Sequence, residues 1–141
     1  MYVRKILVSV LLSGCMAVGA PVSAQTAVVD IDSISASCSV SAEACMVTVR
    51  AAISALTALG LAPTEINTQL GLIASAVASG GASLPASLRA GMAAVMEEIA
   101  SASTDPAQRE SLALLASSFQ GSLQGGSPVD LIAVASALSP N

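Results

Sequence analysis

Histidine and tryptophan are both missing from the 141 residues, and one tyrosine (Tyr2) and one phenylalanine (Phe119) are the only aromatics. Each absence removes a class of function. Without histidine the chain lacks the commonest general base and the commonest metal ligand. Without aromatic faces it has no platform on which unpaired bases could stack. Positive charge is equally scarce. Beyond residue 24 it resides only on Arg50, Arg89 and Arg109, against Asp30, Asp32, Glu43, Glu65, Glu97, Glu98, Asp105, Glu110 and Asp130. Three against nine leaves a balance of −6 for that part of the chain. Nucleic-acid binding needs clustered Lys and Arg to neutralise phosphates, so no nucleic acid is expected as a partner. Electrostatic docking on anionic lipid is excluded on the same ground.

What is present begins with an export pattern. Arg4 and Lys5 form a basic start, Ile6 to Leu12 is apolar apart from Ser9, and small residues follow. This three-part arrangement is that of a cleaved signal peptide over residues 1–24. The apolar core is shorter than the roughly 20 residues a membrane span needs. Two cleavage signals overlap in "LSGCMAVGAPVSAQT". Leu12-Ser13-Gly14-Cys15 has the form of a lipoprotein box, in which Cys15 would carry lipid. Val22-Ser23-Ala24 followed by Gln25 has the form of an ordinary signal-peptidase site. The cut between Ala24 and Gln25 is preferred, because a cut at Cys15 leaves a leader of only 14 residues with a short apolar core.

Either cut leaves one cysteine pair, Cys38 and Cys45, which an oxidising compartment would join. The spacing limits the local fold. Seven residues along one helix span about 10.5 Å, whereas a disulfide wants Cα atoms within about 7 Å. The two cysteines therefore cannot share one helix. A helix is expected to begin between them, capped by Ser39 or Ser41, with the preceding arm folded back on its first turn. The spacing does not match Cys-x-x-Cys redox sites, and two thiols are too few for structural zinc.

The rest reads as helices. Residues 25–40 show no helical stripe and are expected to form an irregular arm or linker. From about Ser41, Met46, Val49, Ile53 and Leu56 recur at steps of three and four. Gly60 supplies a left-handed stop, and Pro63 suits the first turn of a second helix carrying Ile66, Leu70, Ile73 and Val77. Ser79-Gly80-Gly81 is expected to end that helix. A third follows Pro85 with the stripe Leu88, Met92, Val95 and Ile99. A fourth opens at Asp105-Pro106, with Gln108 as reciprocal cap and Asp105–Arg109 as an i,i+4 ion pair. Its stripe is Leu112, Leu115 and Phe119. A short last helix is expected from the capping box at Ser127 through Leu138. Faint echoes link Arg50–Leu56 to Arg89–Val95, and Leu72–Val77 to Leu114–Phe119, as in a duplicated helical hairpin.

No catalytic constellation emerges. Glu97 and Glu98 are adjacent and would point about 100° apart on a helix. The many serines have no histidine to activate them. Met46, Met92 and Met96 lack the clustered ligands of a copper site, and "SGGAS" (79–83) lacks the lysine of a phosphate loop. The sequence thus predicts an all-α protein: a small antiparallel bundle of four main helices plus a short C-terminal one, spanning residues 41–141. It predicts no enzyme, no metal and no cofactor. The expected role is that of an exported binding, scaffold or cell-envelope interaction module, periplasmic or secreted, with a protein partner or self-association. The alternative is a membrane-associated or lipid-anchored envelope protein, suggested by a mean hydropathy of +0.79 and by the uncharged run from Ile66 to Leu88. That run contains Asn67, Gln69, Gly80, Gly81 and Pro85, and is a poor span.

Overall fold

The computed structural model describes residues 29–121. The leader, Cys15, the Ala24–Gln25 cleavage site and the short helix expected after Ser127 lie outside the described residues. Five α-helices fill this span: α1 (Ile31–Val40), α2 (Ala42–Ala58), α3 (Pro63–Ala82), α4 (Ala86–Ala102) and α5 (Pro106–Gly121). No strand occurs among the described residues.

Helices α2 to α5 are the four read from the sequence, and their ends have local causes. The Ser41 hydroxyl accepts from the Ala44 N–H at 3.1 Å and opens α2. Gly60, with φ 63°, closes it in the left-handed region. Pro63 opens α3, and the Glu65 carboxylate reaches back to the Ala62 N–H at 3.0 Å. The Asp105 carboxylate accepts from Ala107 and Gln108, so that Pro106 becomes the first residue of α5.

Helix α1 is a correction. The arm expected to be irregular over 25–40 is helical from Ile31 onward. Asp30 caps it by accepting from the Ser33 N–H at 3.0 Å, and Ile34 and Cys38 are buried, with Ile31 partly so. Ile31, Ile34 and Cys38 are spaced three and four apart. The stripe was there in the sequence once cysteine is counted as the small hydrophobe it is.

Two further expectations fail in instructive ways. Ser79-Gly80-Gly81 does not end α3, which runs on to Ala82. A glycine inside a helix costs about 1 kcal/mol relative to alanine, and here that cost is offset by close approach. A Cβ on Gly80 would lie 2.5 Å from the Ser35 carbonyl oxygen and 2.6 Å from the Cys38 Cβ. The missing side chain is what lets α1 lie on α3. Leu88, expected in the core, is 49% exposed, while Met92, Val95 and Ile99 of its stripe are fully buried. It occupies the first turn of α4, at the end of the bundle.

Consecutive helices from α2 to α5 run antiparallel. Ala42 meets Gly91, and Arg50 meets Glu98 eight and seven residues further along, so α2 and α4 run parallel. Asn67 meets Gln108 and Gly81 meets Phe119, so α3 and α5 also run parallel. The two hairpins α2–α3 and α4–α5 therefore lie side by side in the same sense. Helix α3 touches each of the other four. The middle of the uncharged run, from Gln69 to Ala78, thus lies at the centre of the bundle, where charge would be costly.

Candidate functional site

Cys38 at the end of α1 and Cys45 in the first turn of α2 are joined by a disulfide, with Cα atoms 4.2 Å apart. Both are fully buried. Ser41 is the whole connection between the helices: it ends α1 and caps α2. Of the two serines considered for the cap, Ser41 takes the role because it alone stands in the extended conformation between the helices. The Thr48 hydroxyl, 3.0 Å from the Ser37 hydroxyl, adds a second tie across the hinge. The bridge pins α1 where Gly80 receives it. In this way one covalent bond and one absent side chain together determine the position of the first helix.

At the opposite end a polar knot joins α3 to the turn between α4 and α5. Ser103 and Gln108 are buried there, and Asn67 is half-buried. The Ser103 hydroxyl lies 2.6 Å from Gln108 Oε1 and 3.2 Å from Asn67 Oδ1. Its one proton serves the shorter contact. The oxygen accepts from the Asp105 N–H at 3.2 Å. Gln108 Nε2 donates to the Asn67 carbonyl at 2.8 Å, and Asn67 also bonds Thr104 through its side-chain nitrogen and oxygen. Gln108 therefore faces Ser103 and Asn67 and does not act as the reciprocal cap of α5. The expected Asp105–Arg109 ion pair is likewise not formed, because the Asp105 carboxylate serves the cap. No sequence pattern pointed to this knot, since its members are scattered over three segments and become neighbours only on folding.

Chemically the knot holds rather than reacts. The groups around the Ser103 hydroxyl are amides and backbone atoms, none of which takes up a proton near neutral pH. Many helical serines and threonines are occupied too: Ser37, Thr57, Thr68, Ser111 and Ser117 each donate to the carbonyl four residues earlier, and Thr48 donates to the Ser37 hydroxyl. Glu97 is exposed, and Glu98 pairs with Arg50 at 3.1 Å on the surface. Arg89 turns inward along the α3–α4 turn, donating to the Leu84 and Ala82 carbonyls at 2.7 and 3.2 Å. The Ala82 carbonyl is an orphan acceptor at the end of α3, where a cation is well placed, and the Leu84 carbonyl lies in the turn just beyond. Arg50 and Arg89, matched by the sequence echo, thus have different roles. Met92 and Met96 are core residues and Met46 is partly buried. Among the described residues, no three His, Cys, Asp or Glu side chains gather to hold a metal ion.

No family model, curated protein or solved structure matches the chain. Its own geometry therefore has to carry any functional reading. Among the described residues no helix is long and apolar enough to cross a membrane. Among the described residues, the large apolar side chains left exposed are Val40, Val47, Leu59, Leu88 and Leu114. They are distributed over α1, α2, α4, α5 and the α2–α3 turn.

Proposed function

We propose that the protein is an exported helical module without catalysis of its own, acting through its surface as a binding, scaffold or cell-envelope interaction protein in the periplasm or outside the cell. The observation that carries this reading is the buried Cys38–Cys45 disulfide. Bridges of this kind persist in oxidising compartments, and the leader pattern over residues 1–24 supplies the route. The inward use of the polar side chains supports the non-catalytic part. Hydroxyls and amides that could do chemistry are engaged in caps, in the knot around Ser103 and in bonds within the helices. A protein partner, or a second copy of the chain, would meet an acidic surface dotted with single apolar side chains.

Intact mass of the protein from its native host tests the reading. The expected species begins at Gln25 and carries Cys38 and Cys45 oxidised. Diacylglycerol on Cys15 would replace it with the lipid-anchored alternative. An uncleaved leader with all three cysteines as free thiols would refute export. Co-sedimentation of the unlipidated chain with liposomes, accompanied by a gain in helix, would instead support membrane association.

A further inference from the structure

Helices α1 and α2 are separated by one residue, yet the apolar pattern does not stop there. Ile34, Cys38, Ala42, Cys45 and Val49 recur at steps of three and four from one helix into the next, and each is buried or packed against the core. The joint from Cys38 to Cys45 contains neither glycine nor proline. Two bonds of a continuous helix already cross it: the Ser41 N–H donates to the Ser37 carbonyl at 3.4 Å, and the Cys45 N–H to the Ser41 carbonyl at 3.0 Å. Only the N–H groups of Ala42, Glu43 and Ala44 fail to reach the carbonyls four residues earlier, and the Ser41 hydroxyl takes the last of them. Ser41, extended at φ −164°, is the one residue between Ile31 and Ala58 outside a helix. The bridge is what forbids the straight form. It holds the Cα atoms of Cys38 and Cys45 4.2 Å apart, whereas a continuous helix would separate them by about 10.5 Å along its axis.

We propose that the Cys38–Cys45 bridge is a conformational switch. Closed, it enforces the bend at Ser41; open, it lets α1 and α2 straighten into one helix over 31–58, and two copies of the chain then exchange α1. A dithiol reductant opens it by thiol–disulfide exchange. Its thiolate attacks one cysteine sulfur, and the other cysteine leaves as a thiolate and takes a proton. The reductant's second thiol then displaces the first cysteine, so that two cysteine thiols form and the reductant departs as its own disulfide. Both cysteines are buried, so α1 lifts from α3 before the attack. Straightening replaces one side-chain cap with three backbone bonds, but it carries Ile34 and Cys38 away from their own α3 and leaves the face around Gly80 uncovered. A second copy offers the matching seat, since its Gly80 leaves the same space for the same helix. Exchange through a short hinge reproduces the contacts of the single chain at low cost. Val40 and Val47 supply a further contact. Both are 71% exposed in the bent form. In the straight helix they fall on one line with Ala44, at steps of four and three, where two exchanged chains pass each other.

Size exclusion with light scattering on the full exported chain tests the switch. The oxidised chain is expected to be a monomer. Under a dithiol reductant, and in the Cys38→Ala/Cys45→Ala variant, dilute protein should remain monomeric with α1 loosened, and a species of twice the mass should grow with concentration. A monomer at every concentration overturns the exchange, and a bridgeless chain that loses its helix by circular dichroism overturns both steps. Spin labels at Ser33→Cys and Ala51→Cys in the same variant report the bend. Both positions are exposed and lie about one turn beyond the contact of Ser37 with Thr48, on neighbouring helices whose axes pack about 8–10 Å apart. In labelled dimer diluted with unlabelled chain they should stand about 27 Å apart along one axis. A short distance, as between neighbouring helices, overturns the straightening. Val40→Ser with Val47→Ser should leave the oxidised monomer's Tm unchanged and lower the dimer fraction of the reduced chain; an unaffected fraction overturns the valine contact.

Discussion

Replacing Gly80 with alanine puts two effects of known sign against each other. Alanine is the better helix former by about 1 kcal/mol, so on propensity alone α3 should gain. The added methyl, however, would lie 2.5 Å from the Ser35 carbonyl oxygen, 2.6 Å from the Cys38 Cβ and 3.2 Å from the Cys38 carbonyl carbon. Ordinary contact begins near 3.4 Å, so α1 must retreat by roughly 0.9 Å. Neither neighbour can rotate aside: one is backbone, and the other is the stem of the bridge to Cys45. Overpacking of this kind costs about 1–3 kcal/mol, and rigid partners place it near the upper end. The net expectation is a loss of about 2 kcal/mol, or a fall in Tm of roughly 8–16 °C for a domain of this size. Thermal melting followed by far-UV circular dichroism measures it. Gly121→Ala is the reference, since a Cβ there meets nothing within 4 Å, and its Tm should lie at or slightly above the parent's, as helix propensity alone requires. A Gly80→Ala protein that melts at or above the parent would show that α1 does not rest on Gly80, and the account of the first helix would fall with it.

Three further outcomes are expected. Reducing the Cys38–Cys45 bridge removes an eight-residue loop constraint and should lower stability by about 2–3 kcal/mol in urea titrations, with hydrogen exchange rising first in α1; uniform exchange across all helices would refute the hinge role. Ser103→Ala deprives the Asp105 N–H and Gln108 Oε1 of their partner and should cost about 1–3 kcal/mol, read as a lower urea midpoint; an unchanged midpoint would show that the knot is not built on this hydroxyl. Gln69 is buried with its Oε1 lacking a hydrogen-bond partner, so Gln69→Met, which keeps the length and removes the unpaired oxygen, should stabilise by about 1 kcal/mol; a loss in the same titration would show that the oxygen is paired.

The helices that were legible in the sequence are those whose stripes are made of Leu, Ile, Val and Met and whose ends carry a conventional signal. Gly60 and Pro63 bracket the α2–α3 turn as read. Asp105-Pro106 opens α5 as read. The placement of the disulfide followed from distance alone, since one helix cannot bring residues 38 and 45 together. The errors share a cause: local rules were applied where a tertiary contact decides. Gly80-Gly81 looks like a break because propensity penalises glycine, and α3 continues because α1 needs the space. Gln108 looks like a reciprocal cap because of its spacing from Asp105, and it turns away because Ser103 and Asn67 are offered by other segments. Leu88 looks like core because periodicity says nothing about where a bundle ends. The polar knot was beyond reach, because Asn67 and Ser103 become neighbours only through the antiparallel return of α4 on α3.

The same tertiary contacts sharpen what composition implied about partners. Counting side chains gives three arginines to the part of the chain beyond residue 24, but the fold withdraws two of them from outside use. Arg89 donates to the carbonyls of Ala82 and Leu84 at the α3–α4 turn, and Arg50 is matched by Glu98 on the surface. The carboxylates of Asp32, Glu43, Glu97 and Glu110 are all exposed and spread over α1, α2, α4 and α5. The carboxylates that face solvent without a cation beside them thus give the surface its acidic character. A partner held by charge must present Lys or Arg to it, and association should weaken as salt shortens the reach of those charges to about 8 Å at physiological ionic strength. A partner held instead by the isolated leucines and valines would bind with little dependence on salt. Salt dependence thus separates the two ways this surface can work, because Arg89, whose charge would otherwise blur the distinction, is turned inward.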